Sequence, residues 1–159
     1  MTLSSGTGRI VAGELALEPL DQATAQRIAG GGDPGFPVGA GWPHADTMDG
    51  LSMVTTGQAL FWLVTVDGVV IGDAGTHGGV DEAGRIEIGY GLAAPFRGRG
   101  HGRALVRALT ESLLGRPEVR AVIAETEPAN LPSRRALESA GFELVSADAQ
   151  GAHYRRAAA

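Results

Sequence analysis

The stretch RGRGHGR, residues 97–103, sets glycines among arginines directly before a run with the apolar spacing of an amphipathic helix. Glycines let successive backbone N–H groups turn toward one point, and a helix that follows adds the positive end of its dipole. Arginine side chains beside such a turn can pair bidentately with phosphate oxygens. The stretch therefore predicts an anion-binding turn, and a solvated loop of alternating Gly and Arg is the alternative.

The glycine spacing of this turn departs from two common phosphate-binding fingerprints. Gly98, Gly100 and Gly102 repeat every second residue, whereas the Rossmann fingerprint is G-x-G-x-x-G and the Walker fingerprint is G-x-x-x-x-G-K-[ST]. Neither of those two sites is predicted. Anion binding remains the expectation, because the contribution of the glycines and of the helix dipole does not depend on that spacing.

The segments around the turn must position it, and they alternate between strands and helices. RIEIGYGL, residues 85–92, alternates with period two and predicts a strand whose polar face carries Gly89 and Gly91. Glycines inside a strand usually mark the close approach of a ligand or another backbone. The other predicted strands cover 14–20, 59–66, 69–75, 119–126, 142–147 and 152–157, with a hairpin turn at Asp67-Gly68, and the predicted helices cover 21–28, 42–53, 104–114 and 131–140. This order predicts a mixed α/β fold.

Composition narrows the classes of function. The chain has 159 residues of which 43% are hydrophobic, which predicts a single domain over 1–159, with a flexible stretch at 1–8 and a Gly/Pro-rich loop at 30–41. The net charge of -5 argues against nucleic-acid binding. The absence of cysteine excludes disulfides, thiolate metal sites and a cysteine nucleophile. We find no signal peptide and no membrane span, and expect a cytoplasmic protein that is a monomer or a homodimer.

Five motifs in chain order resemble the GNAT superfamily of N-acetyltransferases, and within it the RimJ/RimL-like branch. The resemblance is close over residues 59–145 and weak before residue 59. The motifs are Ile71-Gly72-Asp73-Ala74-Gly75, Glu87-Ile88-Gly89-Tyr90-Gly91-Leu92, the turn from Arg97 to Gly102, Asn130-Leu131-Pro132-Ser133 and Ala140-Gly141-Phe142. The resemblance implies a mostly antiparallel mixed sheet of about seven strands, splayed at the cofactor site and flanked by about four helices. It also implies acetyl-CoA as the co-substrate.

The resemblance further implies which residues hold acetyl-CoA. Backbone N–H groups of the glycine turn would bind its pyrophosphate, and Leu92 would hydrogen-bond the pantetheine arm. Asn130 would contact the coenzyme, although a plain helix N-cap accounts for this residue almost equally well. The implied cofactor-binding residues are Leu92, Arg97, Gly98, Arg99, Gly100, His101, Gly102, Arg103 and Asn130, with His101 acting through its backbone.

Acetyl transfer to an amine needs a base, a donor to the thioester oxygen and protonation of the departing thiolate. Glu87 matches the position where many family members keep a base, and a surface pair with Arg85 or with another charged residue is the alternative. The N–H of Leu92 is the candidate donor to the oxygen. Other branches carry a tyrosine acid where this chain has Leu137, which leaves Ser133, solvent or no dedicated acid, since a thiol with a pKa of about 8.5 hardly requires one.

The acceptor site is expected in the half of the chain with the weaker resemblance. Trp42, His44 and Asp46 follow the Gly/Pro-rich loop, and Asp73 lies on a predicted hairpin strand. Carboxylates beside an aromatic ring suit a cationic amine, so these four residues are the predicted substrate-binding set. A core tryptophan and a solvated helix face are the alternatives. No metal site is predicted, because the spacing of His44, Asp46 and Asp49 is irregular.

Together these interpretations predict an N-acetyltransferase. It would transfer the acetyl group of acetyl-CoA to a primary amine of a small molecule, or to a protein N-terminus, by direct attack in a ternary complex. The acidic composition favours a small cation as the acceptor. The alternatives are an acyl-CoA-binding sensor or scaffold without turnover and, more weakly, a nucleotide-binding module that uses the same turn.

Overall fold

The computed structural model of the protein describes residues 8–55 and 59–159, without the side chains of residues 45, 46, 53 and 55. The stretch predicted to be flexible, 1–8, lies outside these residues except for Gly8. The strands are β1 Ile10–Ala12, β2 Leu15–Pro19, β3 Phe61–Val66, β4 Val69–Thr76, β5 Arg85–Leu92, β6 Ala121–Thr126, β7 Glu143–Ala147 and β8 Ala152–Ala157. The helices are α1 Gln22–Ala29, α2 Ala45–Thr55, α3 His101–Leu114 and α4 Leu131–Ser139, with a short 3-10 helix, Ala94–Phe96, before α3.

All of these strands form one eight-stranded sheet in the order β1-β2-β3-β4-β5-β6-β8-β7. Neighbouring strands run antiparallel, except that β5 and β6 run parallel. The predicted mixed and mostly antiparallel sheet is therefore confirmed, with eight strands in place of about seven. The additional strand is β1, whose three residues pair with β2 and are too few to show an alternating pattern in the sequence.

Helices cover both faces of the sheet. Along β3, Phe61 belongs to the apolar cluster under α1 and α2, and the next residue, Trp62, belongs to the cluster under α3 and α4. On α3, the stripe of Leu105, Leu109 and Leu113 is fully buried, and each such leucine contributes roughly 1.5–3 kcal/mol relative to an exposed one. This packing holds the first turn of α3, which carries the glycine motif, at the end of β5. None of the helices in the described part of the chain is both long and apolar enough to cross a membrane.

Local signals locate several element ends correctly. Asp67 and Gly68 have φ values of 51° and 77° and form the turn of the β3–β4 hairpin, as the two-residue signal predicts. The carboxylate of Asp21 accepts a backbone N–H bond of 2.7 Å in the first turn of α1 and caps that helix. Short-range sequence patterns therefore account for these boundaries.

The Gly/Pro-rich loop over 30–41 runs along the start of β4. Val38 forms an isolated parallel bridge with Val70, and the N–H of Gly39 donates to the Val70 carbonyl at 2.8 Å. A Cβ at Gly39 would lie 2.7 Å from the ring of Phe96, so glycine permits this close approach. The loop is thereby attached to the sheet beside the 3-10 helix.

Candidate active site

The parallel strands β5 and β6 separate before they end. Their pairing covers Arg85 to Ile88 on β5 and Ala121 to Ala124 on β6. Strand β5 nevertheless continues to Leu92, where its partner is β4 alone. The sheet is thus splayed between the ends of β5 and β6, as predicted, and the opening exposes one backbone edge of β5.

The hydrogen bonds of β5 show which backbone groups face this opening. The N–H of Ala93 donates to the Ile71 carbonyl of β4 at 2.8 Å. Because successive residues of an antiparallel ladder point their N–H and C=O groups to opposite sides, those of Leu92 and Tyr90 face away from β4. The Leu92 carbonyl accepts a 2.9 Å bond from Nε of Arg97. The Leu92 N–H therefore points into the opening beside a fixed arginine.

The glycine turn leaves the start of α3 uncapped. Gly98 and Gly100 have φ values of 75° and 85°, a left-handed conformation that glycine adopts without strain. Gly100 is the N-cap residue of α3 and provides no side-chain hydrogen bond to the first turn. A Cβ added at Gly102 would meet no atom within 4 Å. The first N–H groups of the helix are thus free of a side-chain cap, which is the geometry of a helix N-terminal anion site.

A cleft of about 730 Å³ lies between this turn, the end of β5 and the start of α4, and we call it the cradle cleft. Seven of the nine predicted cofactor-binding residues line it, namely Leu92, Arg97, Gly98, Gly100, Gly102, Arg103 and Asn130. The other two belong to the same turn but are not among the lining residues. Arg99 lies over the ring of Phe96 with 6.0 Å between the guanidinium carbon and the ring centroid, and His101 is not among the lining residues.

Two other polar side chains that line the cradle cleft were given no role from the sequence. Arg135 of α4 adds a third arginine to Arg97 and Arg103. The adjacent Arg134 is instead bound to the hydroxyl of Tyr154 at 2.9 Å, and nothing in the sequence distinguishes the two neighbours. Tyr90 is the second addition. It sits among the apolar residues of β5, a position from which sequence alone predicts only packing.

A second cleft of about 580 Å³ lies on the other side of Tyr90, and we call it the carboxylate cleft. Its lining includes four acidic side chains and one imidazole above the bare face of β5 at Gly89. These residues are Asp49, Asp73, Glu125, Glu127 and His77. Tyr90, Asn130 and Ser133 line both clefts, so the two cavities meet at these residues.

The hydroxyls at this junction are paired with each other. Oη of Tyr90 and Oγ of Ser133 are 2.8 Å apart, and burial raises the pKa of Tyr90. Oδ1 of Asn130 accepts the backbone N–H of Ser133 at 3.2 Å, so Asn130 does act as the N-cap of α4. Leu137, at the position of the family's tyrosine acid, is fully buried. The hydroxyl groups nearest the meeting point are therefore those of Tyr90 and Ser133.

Asp73 is the member of the predicted substrate-binding set that reaches the carboxylate cleft, although it is only 4% exposed. Its Oδ2 accepts bonds from Nε1 of Trp42 at 2.9 Å and from Oγ1 of Thr47 at 2.5 Å, with Nε2 of His44 at 3.5 Å. Trp42 and His44 are not among the described lining residues of this cleft and contact Asp73 instead. Asp46 lies in α2, and its side chain is outside the described part of the chain.

Glu87 is paired with His77 and not with Arg85. Oε2 of Glu87 and Nδ1 of His77 are 2.6 Å apart, whereas Arg85 pairs with Asp81 at 2.9 Å. The hydrogen bond between them lowers the pKa of Glu87 and raises the pKa of His77. Of the alternative pairings for Glu87, the one with Arg85 is not formed, because the β4–β5 register brings His77 to the glutamate.

Comparison with known proteins gives a family and two sequence relatives. The family model described as Acetyltransferase (GNAT) domain matches residues 15–143. An uncharacterized N-acetyltransferase, YjdG of Bacillus subtilis (strain 168), is 27% identical over 158 residues, which covers 93% of this chain and 94% of the relative. A kanamycin resistance protein of Rhizobium radiobacter is 48% identical over 46 residues, or 29% of this chain and 43% of that protein.

Solved structures share the fold at low sequence identity. The ribosomal L7/L12 α-N-protein acetyltransferase RimL, in its apo crystal form I, has a TM-score of 0.69 and 16% identity, with 99% of this chain and 98% of RimL covered. The aminoglycoside acetyltransferase AAC(6′)-Ib in complex with coenzyme A has a TM-score of 0.65 and 21% identity, with 90% and 94% covered. The chain belongs to the GNAT family of acetyltransferases and is an enzyme whose co-substrate is acetyl-CoA.

Proposed function

We propose that this enzyme acetylates a primary amine of a small cationic molecule by direct attack on acetyl-CoA in a ternary complex. The single observation that carries the proposal is the meeting of the cradle cleft and the carboxylate cleft at Tyr90, Asn130 and Ser133. One cleft offers arginines and an uncapped helix start, and the other offers carboxylates. A protein N-terminus is the second candidate acceptor, because it is also a primary amine.

The cradle cleft fits the co-substrate. Backbone N–H groups from Gly98 to Arg103 would bind the pyrophosphate, and the open space beside Gly102 leaves room for its oxygens. Arg97 and Arg103 would supply charge-assisted hydrogen bonds. The free N–H of Leu92 would hydrogen-bond the thioester arm and stabilise negative charge on its carbonyl oxygen.

Acetyl transfer from acetyl-CoA to an amine needs a base for the ammonium proton and a donor to the departing sulfur. The amine nitrogen forms a bond to the acetyl carbon, the carbon–sulfur bond breaks, and the electron pair stays on sulfur. One proton of the original ammonium goes to a base, which we place at Glu87 and its hydrogen-bonded partner, and a second N–H proton ends on the coenzyme thiol. Ser133 is the protein group placed to donate to sulfur at the junction.

Replacing Ser133 with alanine is expected to lower kcat about tenfold, because one hydrogen bond to a developing charge is lost. The effect is limited, since the coenzyme thiol is acidic enough to leave with help from water. Tyr90→Phe removes the hydroxyl that orients Ser133 and is expected to lower kcat about threefold. Steady-state rates at saturating acetyl-CoA measure the kcat of both variants. An S133A enzyme with unchanged kcat would assign the proton donation to solvent.

The function is tested by thiol release from acetyl-CoA with a panel of acceptors. The panel holds an alkyl monoamine, a linear polyamine, kanamycin and a short peptide with a free N-terminus. Kanamycin is included because a relative over 46 residues is a kanamycin resistance protein. We expect turnover with acceptors that carry more than one positive charge. If acetyl-CoA binds but no acceptor is turned over, the protein is a sensor or scaffold, and tighter binding of ATP than of coenzyme A would indicate a nucleotide-binding module.

A further inference from the structure

We propose that Nε2 of His77 is the atom that takes the proton from the acceptor amine, and that Glu87 acts as the positioning residue for His77 without reaching the amine itself. This assignment rests on the acetyltransferase reaction proposed above. Under this assignment Glu87 of β5 is not the direct base, and it holds the imidazole of His77 in position instead.

The position of the imidazole is the first argument. His77 is among the residues that line the carboxylate cleft, and Glu87 is not among the described lining residues. The ring lies over the bare face of β5, since a Cβ at Gly89 would come within 2.6 Å of Nε2 of His77. Gly89 directly precedes Tyr90, where the two clefts meet. Nε2 therefore lies against Gly89 in the lining of the carboxylate cleft, next to the residue at which the two clefts meet.

The hydrogen bond fixes which nitrogen is basic. Oε2 of Glu87 lies 2.6 Å from Nδ1 of His77, and an ionised carboxylate only accepts hydrogen bonds. Nδ1 therefore carries the proton, and the neutral ring presents its lone pair at Nε2 toward the cleft. The backbone reinforces the contact, because the N–H of His77 donates to the carbonyl of Glu87 at 2.8 Å. Carboxylate–imidazole pairs of this kind serve as general bases in other enzymes.

The groups around His77 make its ring a stronger base than a free imidazole. The hydrogen bond with Glu87 raises the pKa of His77 most, burial opposes this, and the charges of Glu87 and Glu125 add to the rise. Glu87 of β5 is bonded to the ring, and the other acidic groups share its cleft. They are Asp49 of α2, Asp73 of β4, Glu125 of β6 and Glu127 just after β6. His153 of β8 lies 4.0 Å from Glu125. The neutral, basic form of His77 therefore gains population as the pH rises through its elevated pKa.

The step balances with the groups present. Nε2 of His77 takes one proton from the ammonium ion, and the freed lone pair forms the N–C bond while the C–S pair goes to sulfur. The nitrogen then gives a second proton to the thiolate at the Ser133 side or through water. The imidazolium returns its proton to solvent, so the overall reaction releases one proton for each acetyl group transferred.

The test is the pH profile of kcat for the wild-type chain, His77→Gln, Glu87→Gln and the control Glu82→Gln, all at saturating acetyl-CoA and a saturating acceptor from the panel. Glu82 is exposed in the β4–β5 connection and outside both clefts. We expect H77Q to have a kcat at least tenfold lower than wild type and a KM for acetyl-CoA within twofold of wild type. We also expect its profile to lack the acidic limb, which is the fall of kcat at low pH caused by protonation of His77. We expect E87Q to retain more activity and to shift its acidic limb to lower pH, because loss of the carboxylate lowers the pKa of His77. E82Q should match wild type.

NMR titration of the His77 ring supplies a readout that does not depend on turnover. In the wild type the pKa of His77 should coincide with the acidic limb, and in E87Q both should fall together. An H77Q enzyme with wild-type kcat and an intact limb, or an E87Q enzyme that is inactive while H77Q is normal, would overturn the assignment in favour of Glu87 as the direct base. If wild type acetylates no acceptor in the panel, the proposed function itself fails, which the wild-type profile alone reveals.

Discussion

Replacing Gly102 with aspartate is expected to raise the KM for acetyl-CoA about 100-fold, whereas replacing it with alanine should change this KM by less than about threefold. A Cβ at this position meets no protein atom within 4 Å, so both side chains fit the fold. The aspartate places a negative charge where the pyrophosphate would lie, and loss of charge-assisted contacts worth about 3 kcal/mol corresponds to the predicted factor.

The two Gly102 variants should be folded at least as well as the wild type. Gly102 is in the first turn of α3, where alanine has a higher helix propensity than glycine by about 0.8–1 kcal/mol. An aspartate near the start of a helix interacts favourably with the helix dipole. Unfolding therefore does not account for weak binding, and thermal melts without ligand will check this.

Gly102→Asn separates charge from size, because asparagine has nearly the shape of aspartate without its charge. Isothermal titration with coenzyme A measures the affinity of all three variants directly. We expect G102N to fall between G102A and G102D. If G102N binds as weakly as G102D, the effect is steric, and the cradle cleft does not recognise its ligand through charge at this helix start.

Replacing Asp73 with alanine is expected to lower the free energy of unfolding by about 2–5 kcal/mol. The carboxylate is 4% exposed and accepts hydrogen bonds from Nε1 of Trp42 and Oγ1 of Thr47. Alanine leaves these two donors without the acceptor, and each unsatisfied buried group costs about 1–3 kcal/mol. Because Trp42 packs in the cluster under α1 and α2, the cost appears as weaker attachment of α2 to the sheet.

Urea denaturation followed by tryptophan fluorescence measures this loss. Asp73→Asn keeps an acceptor oxygen of similar shape and should cost less than D73A. Glu82→Gln, an exposed carboxylate-to-amide change, should stay within about 0.5 kcal/mol of the wild type. A D73A protein that unfolds at the wild-type urea concentration would show that the Trp42–Thr47–Asp73 network contributes nothing to stability.

The cofactor side of the site was predictable because its determinants are local in the chain. Strand β5, the glycine turn and the cap at Asn130 depend on alternation, on glycine and on capping chemistry within a few residues. The structure puts β5 at Arg85–Leu92, the range that alternation predicts. The sequence did not reveal that Arg135 faces the cleft while Arg99 stacks on Phe96, since that depends on how α4 and the turn are rotated against the sheet.

The pairings around the carboxylate cleft were not predicted, because they join distant parts of the chain. Trp42 and Asp73 are 31 residues apart, and no periodic pattern signals that one donates to the other. His77 meets Glu87 only because the β4–β5 register brings Thr76 opposite Ile88. The pairing of these residues follows from strand register and helix docking, which composition and spacing do not encode.

The parallel contact between β5 and β6 has a consequence for how the enzyme can be altered. With acetyl-CoA in the cradle cleft and the acceptor in the carboxylate cleft, as proposed, the coenzyme would be held by the end of β5 and the start of α3, where the two strands have separated. The amine would instead meet side chains of α2, β4 and β6. Under the proposed function, acceptor preference would be a modular trait. Substitutions at Asp49, Glu125 or Glu127 would change the charge of the carboxylate cleft without touching the backbone that lines the cradle cleft.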